Sequence, residues 1–328
     1  MNGKVLVLTE GSNEIGLGHI GRVNSLLSVF RKEQFEIEWY IKGGQTIDLG
    51  LDEKVLFVEW DQESFLNVMS SYTYFIIDTY VVSKDFLKKV IDLGKNTLFI
   101  IDSKLSYCDS EINPNVFTLF ASAYAQKDIV SSKVNFIGGV DYILFKEEFY
   151  QAEIKNVLSI DIELIVVNIG GFYEEKFINE ICRVINNVFK GISVYVLGKC
   201  KSRKSNMFYS KMNKFHFLFL ENKAYVDILN QSDLIICNGG QSINEAIFLN
   251  KPSIVIKMAD NQTKNIEYWA DLGVINYIGS KDDGFLMDKL SSELIFLKSI
   301  KERDKLLSFE KVKFSSNVKK SILNQFIQ

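Results

Sequence analysis

The chain has 328 residues, 47% of them apolar, and a formal net charge of −3 at pH 7. That length suits two domains or one large one, and the apolar share is enough for a core. The lack of a long basic run argues against nucleic acid as a partner. No apolar run reaches the ~20 residues that cross a bilayer, so stable membrane insertion is not expected.

Cysteine and histidine usage bears on metal binding and on the cellular compartment. The four cysteines are scattered without a Cys-x-x-Cys pair, and there are only two histidines, so a zinc site is not predicted. Free thiols are typical of a reducing compartment. The N-terminal apolar run is too short for a signal peptide because a turn follows it at once. We therefore expect a cytoplasmic protein.

The first half of the chain alternates short apolar runs of strand type with segments of helical spacing. Strands are predicted at residues 4–8, 36–41, 55–58, 74–78, 97–101, 116–120 and 135–137. Helices are predicted at residues 19–30 and 84–93, where apolar side chains recur every three or four positions. This alternation predicts a parallel sheet with right-handed crossovers.

The pattern breaks in a polar stretch near residues 146–156 and then starts afresh. Strands are predicted at 163–169, 193–197, 215–220, 234–237 and 253–256, helices at 174–189, 225–231 and 263–272, and a mostly helical end at 288–328. Two such units predict an α/β protein with two Rossmann-like domains facing a cleft. We place the sugar and water (or acceptor) side, with the general base, at residues 1–152. We place the nucleotide side, with the terminal helices, at residues 153–328.

The most informative segment is residues 234–256, which predicts a strand, a tight turn, a helix and a second strand. Gly239 and Gly240 form a turn that small residues make most easily. Ser242 is predicted to cap the helix, with Glu245 three residues later as in a capping box. The turn then lies at the carboxyl end of a strand and the amino end of a helix, where phosphates bind. It is either a nucleotide diphosphate site or a purely structural glycine turn.

His19 is the strongest candidate for chemistry. It follows Gly16-Leu-Gly18 and begins a helix, whose dipole favours the neutral imidazole, and a neutral imidazole can act as a general base. The alternative is a helix-capping surface histidine. Arg22, one turn later, could pair with a phosphate or with a carboxylate of the same helix.

Further candidates follow predicted strands. Asp78 and Tyr80 end a buried strand at the same sheet edge as His19. Asp78 could orient His19, bind a sugar hydroxyl or merely turn the chain, and Asp102 has the corresponding interpretations.

In the second half, the carboxylate of Glu245 could accept hydrogen bonds from both ribose hydroxyls or only close the capping box. The amides of Asn261 and Gln262 suit a sugar, although a bare dipeptide carries little weight. His216 lies in an apolar strand and is interpreted as structural.

Five segments together form a recognisable series. They are Ser12-Asn-Glu-Ile-Gly-Leu-Gly-His-Ile-Gly-Arg22, Ile76-Ile-Asp-Thr-Tyr80, residues 138–149, Val167-Asn-Ile-Gly-Gly171, and Gly239-Gly-Gln-Ser-Ile-Asn-Glu245 with Asn261-Gln262. The series resembles, in the same order, motifs of the UDP-sugar hydrolases of pseudaminic acid biosynthesis. That family is related to spore-coat polysaccharide proteins and, more distantly, to the glycosyltransferase that makes lipid II.

The resemblance implies a glycosyltransferase type B fold, with UDP held by the second domain without a metal ion or another cofactor. It implies that water activated by His19, with Asp78 and Tyr80 beside it, attacks the anomeric carbon with inversion. Gln241 and Ser242 at the helix end would meet the charge of the departing UDP. The other residues proposed to bind the UDP-sugar are Gly16, Gly18, Arg22, Gly171, Gly240, Glu245, Asn261 and Gln262.

Three features depart from the family pattern. Lys146 stands where the family usually has arginine, Asp102-Ser103 replaces a pair of aspartates, and residues 120–125 do not match the family's asparagine-containing loop. We place these features in the first domain, which selects the sugar or acceptor, so the resemblance does not assign the sugar.

Three functions are therefore considered. The first is a nucleotide-sugar hydrolase of surface-polysaccharide or nonulosonic acid biosynthesis. The second is a type B glycosyltransferase in which His19 deprotonates an acceptor hydroxyl, and the third is a non-catalytic nucleotide-sugar binder. The first domain has no concentrated apolar or basic patch of the kind a lipid acceptor would require, which favours the hydrolase. The sequence assigns no oligomeric state.

Overall fold

The computed structural model describes residues 2–11, 18–43, 53–80, 82–101, 114–125, 135–155, 157–200, 208–220, 222–307 and 310–327. The chain divides into two compact units. The first comprises Met1–Phe145 and Phe314–Gln328, and the second comprises Lys146–Lys313.

Each unit is built on a parallel sheet. The strands of the first unit are β1 Lys4–Glu10, β2 Glu36–Lys42, β3 Lys54–Phe57, β4 Tyr74–Asp78, β5 Asn96–Ile101, β6 Val116–Phe120 and β7 Asn135–Gly138. They lie in the order β3-β2-β1-β4-β5-β6-β7.

The strands of the second unit are β8 Leu164–Asn168, β9 Phe172–Tyr173, β10 Ser193–Leu197, β11 Lys199–Cys200, β12 Lys214–Leu218, β13 Leu234–Asn238, β14 Ser253–Lys257 and β15 Asn276–Ser280. The main sheet has the order β12-β10-β8-β13-β14-β15, and β9 pairs with β11.

Helices connect the strands, as parallel pairing requires. They are α1 Gly18–Lys32, α2 Leu66–Met69, α3 Lys84–Asp92, α4 Glu147–Tyr150, α5 Glu175–Val188, α6 Asn222–Gln231, α7 Gln241–Phe248, α8 Thr263–Asp271, α9 Leu286–Phe296, α10 Ile300–Asp304 and α11 Val318–Ile327. Within the described ranges, every helix is too short or too polar to cross a bilayer.

The strand order reverses once in each main sheet. In the first unit β1 lies between β2 and β4, and in the second β8 lies between β10 and β13. The crossovers on either side of such a point diverge, which leaves a crevice at the carboxyl ends of the two central strands, where ligands bind in this class of sheet. The topology therefore marks β1/β4 and β8/β13 as the places to look for a site.

Continuous apolar runs form the central strands because both faces of a parallel sheet are covered. The side chains of Val5, Leu6, Val7 and Leu8 in β1 are each 0% exposed. In α1 the predicted apolar face is buried throughout, from Ile20 to Phe30. The prediction of an α/β protein with two Rossmann-like domains is confirmed.

The predicted strands of the two main sheets agree closely with the structure, with one omission. The strands β4, β6 and β10 have the predicted bounds. The sequence analysis missed β15, which reads Asn-Tyr-Ile-Gly-Ser, because its polar ends and its glycine give a weak strand pattern. It adds an edge strand to the second sheet through parallel pairing with β14.

The compact units divide the chain differently from the predicted boundary at 152/153, and they group the last helix with the first unit. The second unit begins at Lys146, and α11 belongs to the first unit. The ring of Phe326 on α11 packs against those of Phe30, Tyr74 and Phe117, at centroid distances of 5.4 to 6.1 Å. Periodicity identifies an amphipathic helix but not the core that it covers, so the sequence could not assign α11.

Arg303 on α10 fixes the segment that precedes β8 in the second unit. Its side chain is 0% exposed. Nη1 donates to the carbonyls of Leu297 and Lys298, and Nη2 donates to those of Ser159 and Ile160, at 2.5 to 3.0 Å. One guanidinium thus joins the end of α9 to the segment that leads into β8.

Candidate active site

Polar side chains gather at the β1/β4 switch point of the first unit. Glu10 is the last residue of β1, and Asp78 is the last residue of β4. His19 is the second residue of α1, the helix that follows β1. Their exposures are 0%, 1% and 6% for Glu10, Asp78 and His19. The structure brings His19 and Asp78 together, so the interpretation of His19 as a surface capping residue is wrong.

The imidazole of His19 is oriented by Asp78. The distance from Nδ1 to Asp78 Oδ1 is 2.6 Å. Because an ionised carboxylate can only accept, Nδ1 carries the proton in the neutral ring and Nε2 carries the lone pair. Nε2 is therefore the basic atom, as required of a general base held by a carboxylate.

Arg22 keeps Asp78 ionised. Its Nε donates to Oδ2 at 2.8 Å and its Nη2 donates to Oδ1 at 2.7 Å, which is a two-pronged pair. Burial by itself raises the pKa of the Asp78 carboxyl, but the Arg22 guanidinium and His19 outweigh burial and hold that pKa below its ordinary value. Arg22 thus pairs with a carboxylate of β4, not with one of its own helix as considered above.

Tyr80 borders the imidazole. Its ring lies edge-on to that of His19, with centroids 4.4 Å apart and planes at 77°. The side chain is 46% exposed, so it forms the solvent side of the site. Gly18 is also exposed, and a Cβ there would meet nothing within 4 Å. The predicted residues Gly16 and Asp102 lie outside the described residues.

Glu10 is a member of the site that the sequence analysis missed. Its Oε1 accepts from the backbone N–H of Tyr80 at 2.9 Å, and its Oε2 accepts from the hydroxyl of Thr79 at 2.7 Å. Oε1 also lies 3.6 Å from His19 Nε2. The available signal was a carboxylate two residues after the apolar run of β1, which places it at the carboxyl edge of the sheet.

The second cluster lies at the β8/β13 switch point of the second unit. The Gly239-Gly240 turn follows β13 and is fixed by side chains: Asn238 Oδ1 accepts from Gly240 N at 2.9 Å, and Asn265 Nδ2 donates to Gly239 O at 2.9 Å. A Cβ at Gly239 would lie 2.3 Å from Ile266 Cγ1. The predicted need for a small residue is therefore explained at Gly239 by the buried side chain of Ile266.

The predicted capping box is wrong. Helix α7 begins at Gln241 with Gly240 as its N-cap, and no side chain caps it. Ser242 is already inside the helix because the turn uses fewer residues than the sequence suggested. The first N–H groups of a helix lack intrahelical partners and carry the positive end of the dipole, so this end suits an anion.

Glu245 has a different partner, which the sequence did not reveal. Its Oε2 accepts from the hydroxyl of Tyr225 on α6 at 2.5 Å, and that hydroxyl accepts from Asn168 Nδ2 at 2.7 Å. Burial raises the pKa of Glu245 to about 7, and the Tyr225 hydrogen bond and the charge of Lys146 oppose the rise. Lys146 itself lies 5.9 Å from the Tyr225 ring centroid, in the second unit and not in the first as predicted.

The remaining predicted residues take distinct positions around this turn. Gln262 Oε1 accepts from the backbone of Gly239 at 3.3 Å and of Met258 at 2.9 Å, so this amide oxygen braces the turn. Asn261 and Gly171 are exposed, and a Cβ at Gly171 would meet nothing within 4 Å. Among the described residues, no three histidine, cysteine, aspartate or glutamate side chains converge as they would around a metal ion.

Gly239→Ala should lower the free energy of unfolding by about 1–3 kcal/mol, because the new methyl overlaps Ile266 in a closely packed place. Urea denaturation measures the effect. Gly171→Ala is the matched stability control, and it should change the unfolding free energy by less than about 1 kcal/mol. Equal effects from both variants would contradict the assigned packing of Gly239.

The fold defines the class of protein. The two parallel-sheet units have the glycosyltransferase type B fold, as predicted. MurG of Acinetobacter baumannii superimposes with a TM-score of 0.63 at 12% identity, over 98% of this chain and 99% of that one. UGT89C1 of Arabidopsis thaliana, solved with UDP, gives a TM-score of 0.65 at 11% identity, over 99% and 100%.

Sequence relatives narrow the comparison. The UDP-2,4-diacetamido-2,4,6-trideoxy-beta-L-altropyranose hydrolase of Campylobacter jejuni is 24% identical over 279 residues, which cover 82% of this chain and 97% of that protein. The spore coat polysaccharide biosynthesis protein SpsG of Bacillus subtilis is 22% identical over 286 residues, covering 83% of each. The predicted resemblance to this hydrolase family is confirmed.

A third relative is larger. An uncharacterized protein of Methanocaldococcus jannaschii is 25% identical over 315 residues, which cover 89% of this chain and 63% of that protein. The match thus spans less than two thirds of that relative. No protein-family model matches the chain.

Proposed function

We propose that the protein is a nucleotide-sugar hydrolase that releases UDP and a free sugar, in the biosynthesis of a surface polysaccharide or a nonulosonic acid. The observation that carries the proposal is the buried His19–Asp78 pair, with Nδ1 and Oδ1 2.6 Å apart. That pair supplies a general base with a defined basic atom. The relatives named as UDP-sugar hydrolases support the choice of substrate and reaction.

The proposed reaction is a single displacement. Nε2 of His19 takes a proton from water as the water oxygen attacks the anomeric carbon. The bond from that carbon to the UDP oxygen breaks, and its electron pair leaves with UDP. Attack from the opposite face inverts the anomeric configuration, and the imidazolium then releases its proton to solvent. A positioned base of this kind accelerates a reaction by roughly 100-fold to 10,000-fold.

The second unit would hold the nucleotide. The amino end of α7, at Gln241 and Ser242, would face the diphosphate and stabilise the charge that develops on the departing UDP. The carboxylate of Glu245 would accept hydrogen bonds from the ribose hydroxyls. Gly171 and Asn261, which are exposed, would line the same edge.

The alternative is a glycosyltransferase that uses the same donor site with an acceptor hydroxyl in place of water. Likeness to MurG and to the plant enzyme supports the fold alone, at 11–12% identity. The hydrolase names come from relatives at 20–24% identity that match more than four fifths of this chain. We therefore favour hydrolysis.

UDP release from a panel of UDP-sugars without an acceptor tests the proposal. The panel includes a 2,4-diacetamido-trideoxyhexose. In water enriched in oxygen-18, the label should enter the sugar and not the phosphate, and NMR of the first-formed sugar should show the inverted anomer. UDP binding without release would reject hydrolysis and favour the transferase.

Glu245→Gln should weaken UDP binding about tenfold or more, because a charged acceptor contributes about 1.5–3 kcal/mol to such hydrogen bonds. In the wild type, the affinity for uridine, which has no phosphate to titrate, should rise as pH increases from 6 to 8. The raised pKa of about 7 leaves the Glu245 carboxylate incompletely ionised at neutral pH. Calorimetric titration at several pH values measures both effects.

The same variant should be more stable than the wild type above pH 7. The folded pKa of Glu245 exceeds the unfolded value of 4.5, so the folded state keeps a proton that the unfolded state has lost. Stability therefore falls as pH rises from about 4.5 to 7, by up to about 3 kcal/mol. Glu267→Gln, on the exposed face of α8, is the control. It should change neither the affinity for UDP and uridine nor the decrease of stability with rising pH. A pH-independent uridine affinity would contradict the assigned role.

A further inference from the structure

Glu10 is a fully buried carboxylate without a permanent cation beside it in the part of the chain that the structure describes. Its side chain is 0% exposed, and within those residues its oxygens accept from the Tyr80 backbone and the Thr79 hydroxyl. The nearest described group that can become positive is the His19 ring, whose Nε2 lies 3.6 Å from Oε1. A buried charge destabilises the folded protein unless it is paired, so a carboxylate kept in this position is expected to have a functional role.

The resting distance suits a neutral imidazole. A separation of 3.6 Å is too long for a hydrogen bond, as expected for two acceptors, the Nε2 lone pair and a carboxylate oxygen. Once Nε2 carries a proton, the same neighbours become an ion pair. Protonation of His19 thus turns an unfavourable contact into a favourable one.

The charges around the His19 ring show what each of the two neighbouring carboxylates, Asp78 and Glu10, contributes. Asp78 on β4 is paired with Arg22 on α1, so those two charges offset each other. Lys42, opposite Glu10 in the β1/β2 register, is held by Asp61 at 2.6 Å and by Glu59 at 3.2 Å. With a neutral imidazole the group of Glu10, Asp78, Arg22 and His19 carries one net negative charge. With an imidazolium it carries none.

We propose that Glu10 is a positioning residue that acts through His19: it stabilises the imidazolium formed when Nε2 takes the proton of water, and it holds the backbone of Tyr80, whose ring lies against the imidazole. The inference rests on the proposed role of His19 as general base. Proton transfer to His19 then neutralises a buried negative site, which lowers the cost of charging the base in a place with little water.

Glu10→Gln tests the charge with little change of shape. The carbonyl oxygen of the introduced side chain can still accept from the Tyr80 N–H, and its amide nitrogen can donate to the Thr79 hydroxyl. Because the chain has only two histidines, nitrogen-15 labelling of histidine gives a simple spectrum, which His216→Gln assigns. Without substrate, half-protonation of the His19 ring should occur about one pH unit lower in Glu10→Gln than in the wild type.

The dependence of kcat on pH is a second measurement of the effect of Glu10 on His19. The acid limb of kcat against pH should move to lower pH in Glu10→Gln, and the plateau kcat should fall roughly tenfold as the base weakens. UDP affinity should not change. Glu36→Gln, which alters net charge equally at the amino end of β2, should leave the His19 titration and kcat as in the wild type.

The outcomes are distinguishable. An unchanged His19 titration in a folded Glu10→Gln protein would overturn the inference while leaving the hydrolase intact. A shifted titration with no UDP-sugar hydrolysis by the wild type would support the coupling and reject the proposed function. If Glu10→Gln does not fold, Glu10→Asp replaces it, since it keeps the charge but withdraws it by about 1.5 Å. A smaller shift in the same direction is then expected, and no shift would reject the role.

Discussion

His19→Ala should lower kcat for UDP release by at least ~100-fold, because the reaction loses its positioned base. The affinity for UDP should stay within about twofold of the wild type, since the nucleotide contacts are assigned to the second unit. Steady-state release of UDP and calorimetric titration measure the two quantities. A loss confined to KM would mean that His19 binds substrate without moving a proton.

Two further variants sharpen this test. Asp78→Asn places an amide next to Nδ1, where its N–H can donate, so the ring adopts the tautomer with a proton on Nε2 and the base is blocked. We expect kcat to fall nearly as far as in His19→Ala. His216→Gln is the histidine control: His216 stacks on Tyr195 at 4.5 Å in the second unit, and kcat should be retained.

Arg303→Met should lower the free energy of unfolding by about 3–5 kcal/mol, the largest stability effect expected here, because a buried acceptor that loses its donor costs about 1–3 kcal/mol. The methionine keeps the apolar stem but removes the donors of four hydrogen bonds to carbonyls, one of them buried and three partly buried. Those carbonyls belong to the end of α9 and to the segment before β8, so their connection loosens. Urea denaturation followed by circular dichroism measures the change.

Arg183→Met is the matched control for that substitution. Arg183 is exposed on α5, so the same loss of charge should change stability by less than about 0.5 kcal/mol. An Arg303→Met protein as stable as this control would mean that the four hydrogen bonds contribute nothing beyond what water supplies. Activity should survive below the lowered melting temperature, because Arg303 contacts neither polar cluster.

The site was only partly predictable, and the reason differs from residue to residue. His19 and Asp78 could be assigned to one sheet edge because the carboxyl ends of parallel strands share an edge. Tyr225 could not be connected to Glu245, because the partners lie 20 residues apart on different helices and meet through side-chain packing. Glu10 reads as the ordinary polar end of a strand until the strand order puts β4 beside β1.

Local pattern determined most of the fold. Apolar runs and helical spacing depend on residues a few positions apart. The alternation of strands and helices that forms two parallel sheets could therefore be predicted from the sequence, and so could the glycine turn before α7. Tertiary structure alone decided what pairs across long separations: Asp78 with His19 and Arg22, 59 and 56 residues apart, and α11 with the first unit. Those contacts depend on strand order and on which core has an uncovered face, and neither is a property of any local stretch of sequence.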